Sequence, residues 1–482
     1  MNRPPNFLLF LPDAMPAQVV APGSDCQTPN FDRLAGRGLR FTRAHTPTPV
    51  CSPARASLMT GLLPHNHGVL QVEHCVDDDQ SVLRTQHPHW AQRLREAGYR
   101  TGYFGKWHIE RTNRLEDFGW QVNGGDAASA FRQLGTGEDR TENLIAPHNL
   151  AHYQTTPAGY NPVLLYGVTE VPTEKRSFSH TTERAMDFLA DASGRQDPWA
   201  CCLSFSEPNT PVVAGRETFE RYDVDRIRLP ANFHDKFRNS PALYRREQEI
   251  LRYLTERQWR ELRAVYYALV TELDQQFGRV LDALEKSGQL EHTVVIVSSD
   301  HGRYLGAHGF DAHNFGAFEE IYNIPLILAG PGIPSNTVGD ALVSLPDLCP
   351  TILELAGARP IDVADSRSLV SMLRRPNEEA ANFGCSYAEF HGTRFLLTQR
   401  VLWDGPWKFV FNGFDYDELY NLADDPHELN NLSQVPAHRD RLRSMMTKLW
   451  QRARDTGDRA LCETHYSPMR FAIVGPNAAK SS

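Results

Sequence analysis

The sequence predicts an α/β fold in which a large, mixed but mainly parallel β-sheet is sandwiched by helices. One observation is a series of short, continuous apolar runs, such as Phe7–Leu11 and Val294–Ser298, which are typical of buried parallel strands. Another is that helical patterns separate these runs, so that strands and helices alternate along the chain. A third is a change near residue 375, after which the pattern indicates antiparallel strands. We therefore expect one large domain at residues 1–375 and a smaller α+β subdomain at residues 376–482.

The elements of the large domain follow from hydrophobic periodicity. Short apolar runs are assigned to strands, and segments with apolar residues three or four positions apart are assigned to helices. In chain order this predicts a strand at Phe7–Leu11, a helix at Thr28–Ala35, a strand at Leu39–Phe41, a helix at His89–Ala97, a strand at Tyr99–Phe104, a helix at Ser179–Leu189, and strands at Trp199–Phe205, Val294–Ser298 and Pro325–Ala329. Residues 110–180 are interpreted as a lid-like loop region, and residues 212–255 as a polar loop.

The clearest helix is predicted at Trp259–Lys286, where Leu262, Leu269 and Val280 belong to an apolar stripe at helical spacing. Gly288 ends this helix, because glycine readily adopts the backbone conformation that terminates helices. The stripe indicates a face packed into the core rather than a cofactor site.

The smaller subdomain is predicted to contain hairpin strands at Phe395–Trp403 and Lys408–Asn412, followed by an amphipathic helix at His438–Arg454. The tail after residue 463 carries the apolar residues Met469, Phe471, Ile473 and Val474. It either packs on a partner subunit, which would make the protein a homo-dimer or tetramer, or frays as a free end.

Bulk composition narrows the class of protein. The formal net charge of −9 over 482 residues argues against general binding to nucleic acid or anionic membranes, although it leaves room for a local basic pocket. No apolar run approaches the roughly 20 residues of a membrane span, and Phe7–Leu11 is too short for the core of a signal peptide. The eight cysteines show no CxxC spacing, which favours reduced thiols. We therefore expect a cytoplasmic protein that binds neither nucleic acid nor membrane.

Polar residues follow several predicted strands at their carboxyl ends, which is where ligand sites of open α/β sheets lie. These residues are Asp13, Lys106 with His108, Asn209, and Asp300 with His301. Because the carboxyl ends of parallel strands meet at one edge of a sheet, we expect these side chains to share a cleft.

The residue types in this cleft predict a metal site that binds an anion. Asp13, Asp300 and His301 offer hard oxygen donors and one imidazole, which suit Ca²⁺, Mn²⁺ or Mg²⁺ better than a structural zinc ion. A divalent cation with several basic side chains would bind a tetrahedral oxyanion and stabilise charge that develops during group transfer. The basic residues are Arg55, Lys106 and His108.

Two other polar motifs are interpreted as structural. His65 and His67 resemble a metal pair, but no partner cluster stands at metal-ligand spacing, so a local role in a loop is favoured. The run Asp77-Asp78-Asp79 is interpreted as a solvated loop.

The motif Cys51-x-Pro53-x-Arg55, followed by Ala56-Ser57-Leu58-Met59-Thr60-Gly61, resembles the signature of type I sulfatases, members of the alkaline phosphatase superfamily. The similarity extends over most of the chain and includes Thr28-Pro29-Asn30-Phe31-Asp32-Arg33-Leu34, Gly105-Lys106-Trp107-His108, Ser299-Asp300-His301-Gly302 and Leu419-Tyr420-Asn421-Leu422. The resemblance implies an alkaline phosphatase-like fold and hydrolysis of a small-molecule sulfate ester, with arylsulfatase-type activity. It also implies that a formylglycine-generating enzyme, or an equivalent maturase, oxidises Cys51 to formylglycine.

The resemblance further implies a mechanism. One oxygen of the hydrated formylglycine, bound to the metal, attacks sulfur and displaces the alcohol or phenol. The second hydroxyl is then deprotonated, and the sulfated enzyme collapses to aldehyde and sulfate, which a serine ester could not do without attack by water. By the same resemblance, Asp13, Asp300 and His301 hold the metal together with modified Cys51; Arg55 and Lys106 orient and polarise the diol, and His108 assists the second step.

Four positions depart from the usual family pattern. Ala14 stands where many sulfatases have a second Asp, and His301 stands where Asn is frequent. These features resemble the branch that includes phosphonate monoester hydrolases and choline sulfatases. Two alternatives to a sulfatase therefore stay open: a phosphonate monoester or phosphodiester hydrolase, and a degenerate, non-catalytic binding protein.

Asn209 replaces the usual His, and His313 replaces the usual Lys. We hypothesise that the pair exchanges roles, with His313 as leaving-group acid and Asn209 as hydrogen-bond donor.

Overall fold

The computed structural model of the chain describes residues 4–77, 81–84, 86–112, 114–124, 149–393, 396–462 and 470–480, and it has the predicted α/β architecture. The strands are β1 (Asn6–Leu11), β2 (Leu39–Phe41), β3 (Ala44–His45), β4 (Arg100–Gly105), β5 (Val122–Asn123), β6 (Ala151–Gln154), β7 (Val163–Thr169), β8 (Trp199–Ser204), β9 (Val212–Gly215), β10 (Thr293–Ser298), β11 (Leu326–Ala329), β12 (Thr337–Gly339), β13 (Val343–Ser344), β14 (Cys385–Gly392), β15 (Leu396–Asp404), β16 (Trp407–Asn412) and β17 (Glu418–Asn421). The helices are α1 (Pro29–Arg37), α2 (Cys51–Thr60), α3 (Pro64–His67), α4 (Trp90–Glu96), α5 (Ser177–Ser193), α6 (Arg216–Phe219), α7 (Ala242–Gln248), α8 (Glu256–Lys286), α9 (Glu319–Tyr322), α10 (Leu348–Ala356), α11 (Val370–Arg374), α12 (Pro376–Glu379), α13 (Arg439–Asp455) and α14 (Arg459–Cys462).

The central element is an 8-stranded sheet with the order β12-β2-β11-β10-β1-β8-β4-β5. β1 runs parallel to both of its neighbours, β10 and β8, and the parallel pairing continues from β8 to β4 and β5. β11 is antiparallel to the two strands beside it, β10 and β2. The sheet is therefore mixed but mainly parallel, as predicted.

The register of the central strands brings their carboxyl ends into one row. Leu11 of β1 pairs with Ser204 of β8, and Ser204 pairs in turn with Gly105 of β4. On the other side of β1, Phe10 pairs with Val297 of β10. Residues that follow these strands therefore leave the sheet at the same edge.

Apolar side chains cover both faces of this sheet. Leu8 and Phe10 of β1 belong to a buried cluster with α5 and the long helix α8, whereas Leu9 lies in a second cluster with α2, α4 and α10. Because successive side chains of a strand point to opposite faces, burial on both sides explains why β1 is continuously apolar. Each fully buried Leu or Phe contributes about 1.5–3 kcal/mol relative to an exposed one.

The residues after 375 include a 4-stranded antiparallel sheet with the order β14-β15-β16-β17, and α13 packs on one of its faces. The other face shares a buried cluster with the large domain, in which Trp403 and Val410 pack with Tyr304 and Phe318. Lys408 of β16 adds an ion pair to this junction, since its buried ammonium nitrogen lies 2.9 Å from Oε1 of the partly buried Glu319. The division into two domains at residue 375 stays a prediction.

The carboxyl-terminal tail packs on its own chain where the structure describes it. Trp450 Nε1 of α13 donates a hydrogen bond of 2.7 Å to the carbonyl of Val474. Phe471 and Ile473 are exposed to 62% and 41%. Met469 lies outside the described residues, and association into a dimer or tetramer stays a prediction.

Two stretches that were interpreted as loops contain regular structure. β6, β7 and β9 form a separate 3-stranded sheet, and α7 lies within residues 212–255. Residues 125–148 of the lid-like region lie outside the described residues. Phe395, at the start of the predicted hairpin, lies outside them as well. Among the described helices, none is both long enough and apolar enough to cross a membrane.

Candidate active site

The row of strand ends collects the charged residues that the sequence analysis singled out. Asp13 follows β1, Lys106 follows β4, and Asp300 follows β10, and each of these side chains is buried. α2 enters the same region with its amino-terminal residue, Cys51, which is 3% exposed. These residues therefore meet at one edge of the sheet, as their positions after the strands predict.

α2 presents Cys51 at the buried amino-terminus of a helix. Pro53 lies in its first turn, where a missing backbone N–H does no harm, and Gly61 ends the helix with φ of 74°. All ten residues of α2 are buried, which accounts for the small and apolar side chains of this motif. The N–H groups at a helix amino-terminus favour negative charge, so an anion beside residue 51 would be stabilised.

Arg55 organises the two carboxylates. Its Nε donates a hydrogen bond of 2.7 Å to Asp300 Oδ2, and one terminal nitrogen lies 3.2 Å from Asp13 Oδ2. The other terminal nitrogen donates to Ser204 Oγ at 2.6 Å. Burial would lower the pKa of Arg55, but Asp300 and Asp13 outweigh that effect and raise it. Arg55 is therefore a permanent cation that fixes both acids.

Asp13 is contacted by several polar side chains of the site. Its Oδ2 accepts from the ammonium group of Lys106, and its Oδ1 accepts a hydrogen bond of 2.7 Å from Asn209 Nδ2. Burial alone would raise the pKa of Asp13, but Lys106 and Arg55 hold it well below the usual value. Asp13 is thus ionised, and it lies 3.9 Å from the Cys51 sulfur through Oδ1.

Asp300 is held by backbone amides in addition to Arg55. Its Oδ1 accepts hydrogen bonds from the N–H groups of Ala14 at 3.1 Å and His301 at 2.9 Å. Ala14 has φ of 60°, a conformation that is uncommon for a residue other than glycine, and this turn directs its N–H toward Asp300. At the position where many sulfatases have a second Asp, this chain therefore uses the backbone to bind Asp300.

His301 is oriented with one nitrogen toward Cys51. Its Nδ1 donates to the carbonyl of Gly302 at 2.9 Å, which fixes the ring orientation with Nε2 directed toward Cys51. Nε2 lies 3.1 Å from the Cys51 sulfur and 3.7 Å from Oδ1 of both Asp13 and Asp300.

These donors fit a divalent cation. The ligand atoms of Asp13, Cys51, His301 and His313 lie within 4.8 Å of one another. Carboxylate oxygens and a pre-oriented imidazole are suitable ligands for Ca²⁺ or Mn²⁺, whereas a thiol sulfur is a poor one. His313, whose ring centroid is 3.9 Å from that of His301, belongs to the same group.

The unmodified Cys51 is a weak nucleophile in this environment. Burial, and then the neighbouring Asp13 carboxylate, raise the pKa of its thiol well above the ordinary value. Only the thiolate attacks efficiently, so a protonated, buried thiol is inert. Burial, and then Lys106, lower the pKa of His108, which is therefore a neutral imidazole.

Several contributors to the site were not predicted from the sequence. Ser204 Oγ donates to the carbonyl of Lys106 at 2.7 Å, and Thr46 Oγ1 donates to the carbonyl of Asp300 at 2.6 Å. His74 Nδ1 lies 3.0 Å from His108 Nε2. The position of Ser204 as the last residue of a buried strand was an available signal, but Thr46 and His74 have no sequence pattern that marks them.

The other polar motifs lie elsewhere. His65 contacts the buried carboxylate of Glu389, and its Nε2 lies 2.9 Å from the carbonyl of Thr456. His67 Nε2 lies 3.0 Å from Ser57 Oγ. The partner of His67 is local, whereas His65 contacts residues distant in sequence. Against the expectation that it has no partner cluster, His65 lies within 4.8 Å of potential ligand atoms of Glu389 and Asp458. Of the acidic run, Asp78 and Asp79 lie outside the described residues.

Comparison with known proteins supplies independent information. The sulfatase family profile matches residues 5–358, and a profile described as N-sulphoglucosamine sulphohydrolase, C-terminal, matches residues 306–455. The choline-sulfatase of Rhizobium meliloti (strain 1021) is 29% identical over 462 residues, which cover 90% of this chain and 83% of that protein.

Solved structures with the same fold include sulfate and phosphonate ester hydrolases. The phosphonate monoester hydrolase SpPMH from Silicibacter pomeroyi superposes with a TM-score of 0.76 at 23% identity, covering 96% of this chain and 98% of that chain. The structure of BT4656, in complex with its substrate D-glucosamine-2-N,6-O-disulfate, gives a TM-score of 0.74 at 20% identity, covering 97% of this chain and 100% of that chain. Because the family profile spans most of its length, this chain belongs to the sulfatase family and is a sulfuric ester hydrolase.

Proposed function

We propose that the protein hydrolyses sulfate monoesters of the arylsulfatase type, with formylglycine derived from Cys51 as nucleophile and one divalent metal ion as cofactor. The observation that carries the proposal is the position of Cys51, whose sulfur lies within hydrogen-bonding distance of His301 and near the ionised Asp13. Asp13, Asp300, His301 and the modified residue 51 would hold the metal. The formylglycine hydrate would supply the attacking oxygen, and a metal held by these residues would supply Lewis-acid stabilisation of negative charge.

The charge balance of the site supports an anionic substrate. Two buried carboxylates, Asp13 and Asp300, face two buried cations, Arg55 and Lys106, so the protein charges cancel without a metal. A divalent cation therefore leaves the site with an excess of positive charge. Sulfate monoesters are monoanions, and fixed cations in a site of low dielectric constant bind such a group strongly.

Lys106 and His108 are proposed to act on the oxygens at residue 51. The ammonium group of Lys106 is held by Asp13 and would polarise a neighbouring hydroxyl group. The neutral imidazole of His108 would accept the proton that leaves when the sulfuryl group departs.

Asn209 and His313 are proposed to serve the leaving-group side. Asn209 uses its Nδ2 to hold Asp13, which suits a hydrogen-bond donor but not a proton donor. His313 lies in a loop that a buried ion pair fastens, since Arg303 and Asp311 are 2.6 Å apart. We propose that His313 donates a proton to the departing oxygen; because burial and then His301 lower its pKa, the bound sulfate monoanion would have to favour its protonated form.

Replacement of His313 by alanine is expected to slow poor leaving groups far more than good ones. General-acid catalysis contributes about 10²–10⁴-fold for an alkyl sulfate, whereas a nitrophenyl sulfate leaves without protonation and should lose less than about tenfold. The measurement is kcat/KM for a series of sulfate esters with increasing pKa of the leaving alcohol. The exposed His292→Ala is the control. An equal loss across the whole series would show that His313 is not the acid.

The proposed function is tested by rates on a sulfate monoester and a phosphonate monoester that share one leaving group. We expect a higher kcat/KM for the sulfate ester, and loss of that activity after chelation with recovery on addition of Ca²⁺ or Mn²⁺. A preference for the phosphonate ester would instead support the alternative, a phosphonate monoester or phosphodiester hydrolase, since both substrates present a monoanionic tetrahedral group. Protein from a host with a formylglycine-generating maturase should be used, because the proposal requires modified Cys51.

A further inference from the structure

A short segment covers the amino-terminus of α2 next to Cys51. Residues Glu73–Cys75 form one turn of 3₁₀ helix, and the N–H of Glu73 donates to Ser52 Oγ at 3.2 Å. Arg111 fastens this turn, because its guanidinium group donates to the carbonyls of Glu73 at 2.7 Å and Val76 at 2.6 Å. The side chains of this turn are therefore held at a fixed position beside the reacting residue.

One side chain of this turn, His74, contacts His108. Nδ1 of His74 and Nε2 of His108 are 3.0 Å apart, and the two nearly coplanar rings meet edge to edge, with centroids 5.1 Å apart and an angle of 24° between their planes. His108 is 5% exposed, whereas the side chain of His74 is 39% exposed. The two imidazoles thus form a continuous hydrogen-bonded path from the buried site to the surface.

The two ends of this path differ in their access to water. At the buried end, burial and then Lys106 lower the pKa of His108, against the weaker opposing effect of Asp13. At the outer end, His74 is partly exposed, and the carboxylate of Glu73 lies 4.0 Å from its Nδ1. A proton that reaches His74 can therefore leave to solvent, whereas His108 has no such exposure.

We propose that His74 is a positioning and proton-relay residue that carries the proton taken up by His108 to solvent. This inference rests on the proposed function, which makes His108 the base at residue 51. His108 accepts the hydroxyl proton at Nδ1, its Nε2 proton passes to Nδ1 of His74, and the proton on Nε2 of His74 leaves to water. Both rings end neutral with the opposite nitrogen protonated, and the reverse order returns a proton when water next adds at residue 51.

Two variants of His74 separate proton transfer from orientation. His74→Phe keeps an aromatic ring at this position but removes both nitrogens, whereas His74→Asn keeps a hydrogen-bonding group near the position of Nδ1 but cannot carry a proton. We expect both variants to lower kcat about 10–100-fold and KM in proportion, with kcat/KM changed less than about twofold, since only the step after alcohol release is slowed. A burst of alcohol release should appear in both, and imidazole in the buffer should restore part of the kcat of His74→Phe.

A second measurement does not depend on turnover. In [¹⁵N]histidine-labelled protein, the imidazole proton shared by His74 and His108 should give a downfield NMR signal that is lost in His74→Phe and in His108→Ala. His234→Phe, which replaces a histidine whose side chain is 70% exposed, should leave both this signal and kcat unchanged.

Several results would overturn the relay. A wild-type kcat in His74→Asn would mean that His74 only orients His108. A wild-type kcat in His74→Phe would exclude any role of His74 in turnover. Failure of imidazole to raise the kcat of His74→Phe, or absence of the shared proton signal in the wild type, would also contradict the proposal. Failure of the proposed function is recognised separately, because the wild-type enzyme would then release no sulfate while the NMR signal still decides whether the imidazole path exists.

Discussion

Replacement of Cys51 by alanine is expected to lower kcat/KM for a sulfate ester by a factor on the order of 10⁶, as removal of a nucleophile does in other hydrolases. The reason is that the proposed attacking oxygen belongs to residue 51 itself, and alanine cannot be oxidised to formylglycine. Substrate binding should change less than the rate, because Lys106 and the other three proposed metal ligands, Asp13, Asp300 and His301, remain. The measurement is steady-state kinetics under saturating Ca²⁺ or Mn²⁺.

Cys51→Ser distinguishes the proposed chemistry from simple nucleophilic attack. A serine hydroxyl could accept the sulfuryl group once, but it lacks the second hydroxyl that expels sulfate from a formylglycine hydrate. We expect at most a single burst of alcohol release per enzyme, followed by no turnover. The exposed Cys385→Ala is the control and should retain full activity. Sustained turnover by Cys51→Ser or Cys51→Ala would contradict the assignment of Cys51 as the modified nucleophile.

Replacement of Arg55 by methionine is expected to reduce both stability and activity. Arg55, Asp13 and Asp300 are all fully buried, so the substitution leaves two carboxylates without their shared cation. Loss of one partner of a buried ion pair costs about 3–5 kcal/mol of the free energy of unfolding. The loss of the fixed cation should also lower kcat/KM by about 10²–10³-fold.

The effect of Arg55→Met on stability should depend on the metal. A divalent cation bound by the same carboxylates replaces part of the missing positive charge, so the urea midpoint should fall most in chelated protein and less when metal is saturating. Arg33→Met is the control, because Arg33 forms ion pairs with Asp282 and Glu285 at the surface and should cost at most about 1 kcal/mol. If Arg55→Met does not fold, Arg55→Lys can be used instead. Lysine keeps the positive charge but lacks the separate guanidinium nitrogens with which Arg55 contacts both Asp13 and Asp300. Equal destabilisation with and without metal would contradict the inferred shared site.

The prediction of the fold from sequence succeeded where burial was nearly complete. β1 and β10 lie between two helical layers, so their side chains are apolar on both faces and the runs are easy to recognise. β14 was not predicted, because it carries the buried Glu389, whose charge is compensated by His65 and by His391. A carboxylate in a strand suggests a loop unless its partners are known, and these partners come from distant parts of the chain.

The candidate site was predictable to the extent that it depends on strand ends. Asp13 and Asp300 are far apart in sequence, but each follows a buried strand, and the two strands are neighbours in the sheet. His74 was not predictable in this way, because its contact with His108 depends on how a loop folds over α2. The roles of Asn209 and His313 stay predictions. Asn209 contacts Asp13 and the ring of His313 lies beside that of His301, but these contacts do not identify the residue that faces a leaving oxygen.

The central claim, that Cys51 becomes formylglycine in the active enzyme, is tested most directly by mass spectrometry of the tryptic peptide from Ala44 to Arg55. The protein should come from its native host and should be assayed for sulfate release before digestion. The account predicts that this peptide carries an aldehyde at residue 51, that it reacts with a hydrazide probe, and that the modified fraction is proportional to the specific activity. An unmodified Cys51 in a preparation that hydrolyses a sulfate ester at full rate would contradict the account.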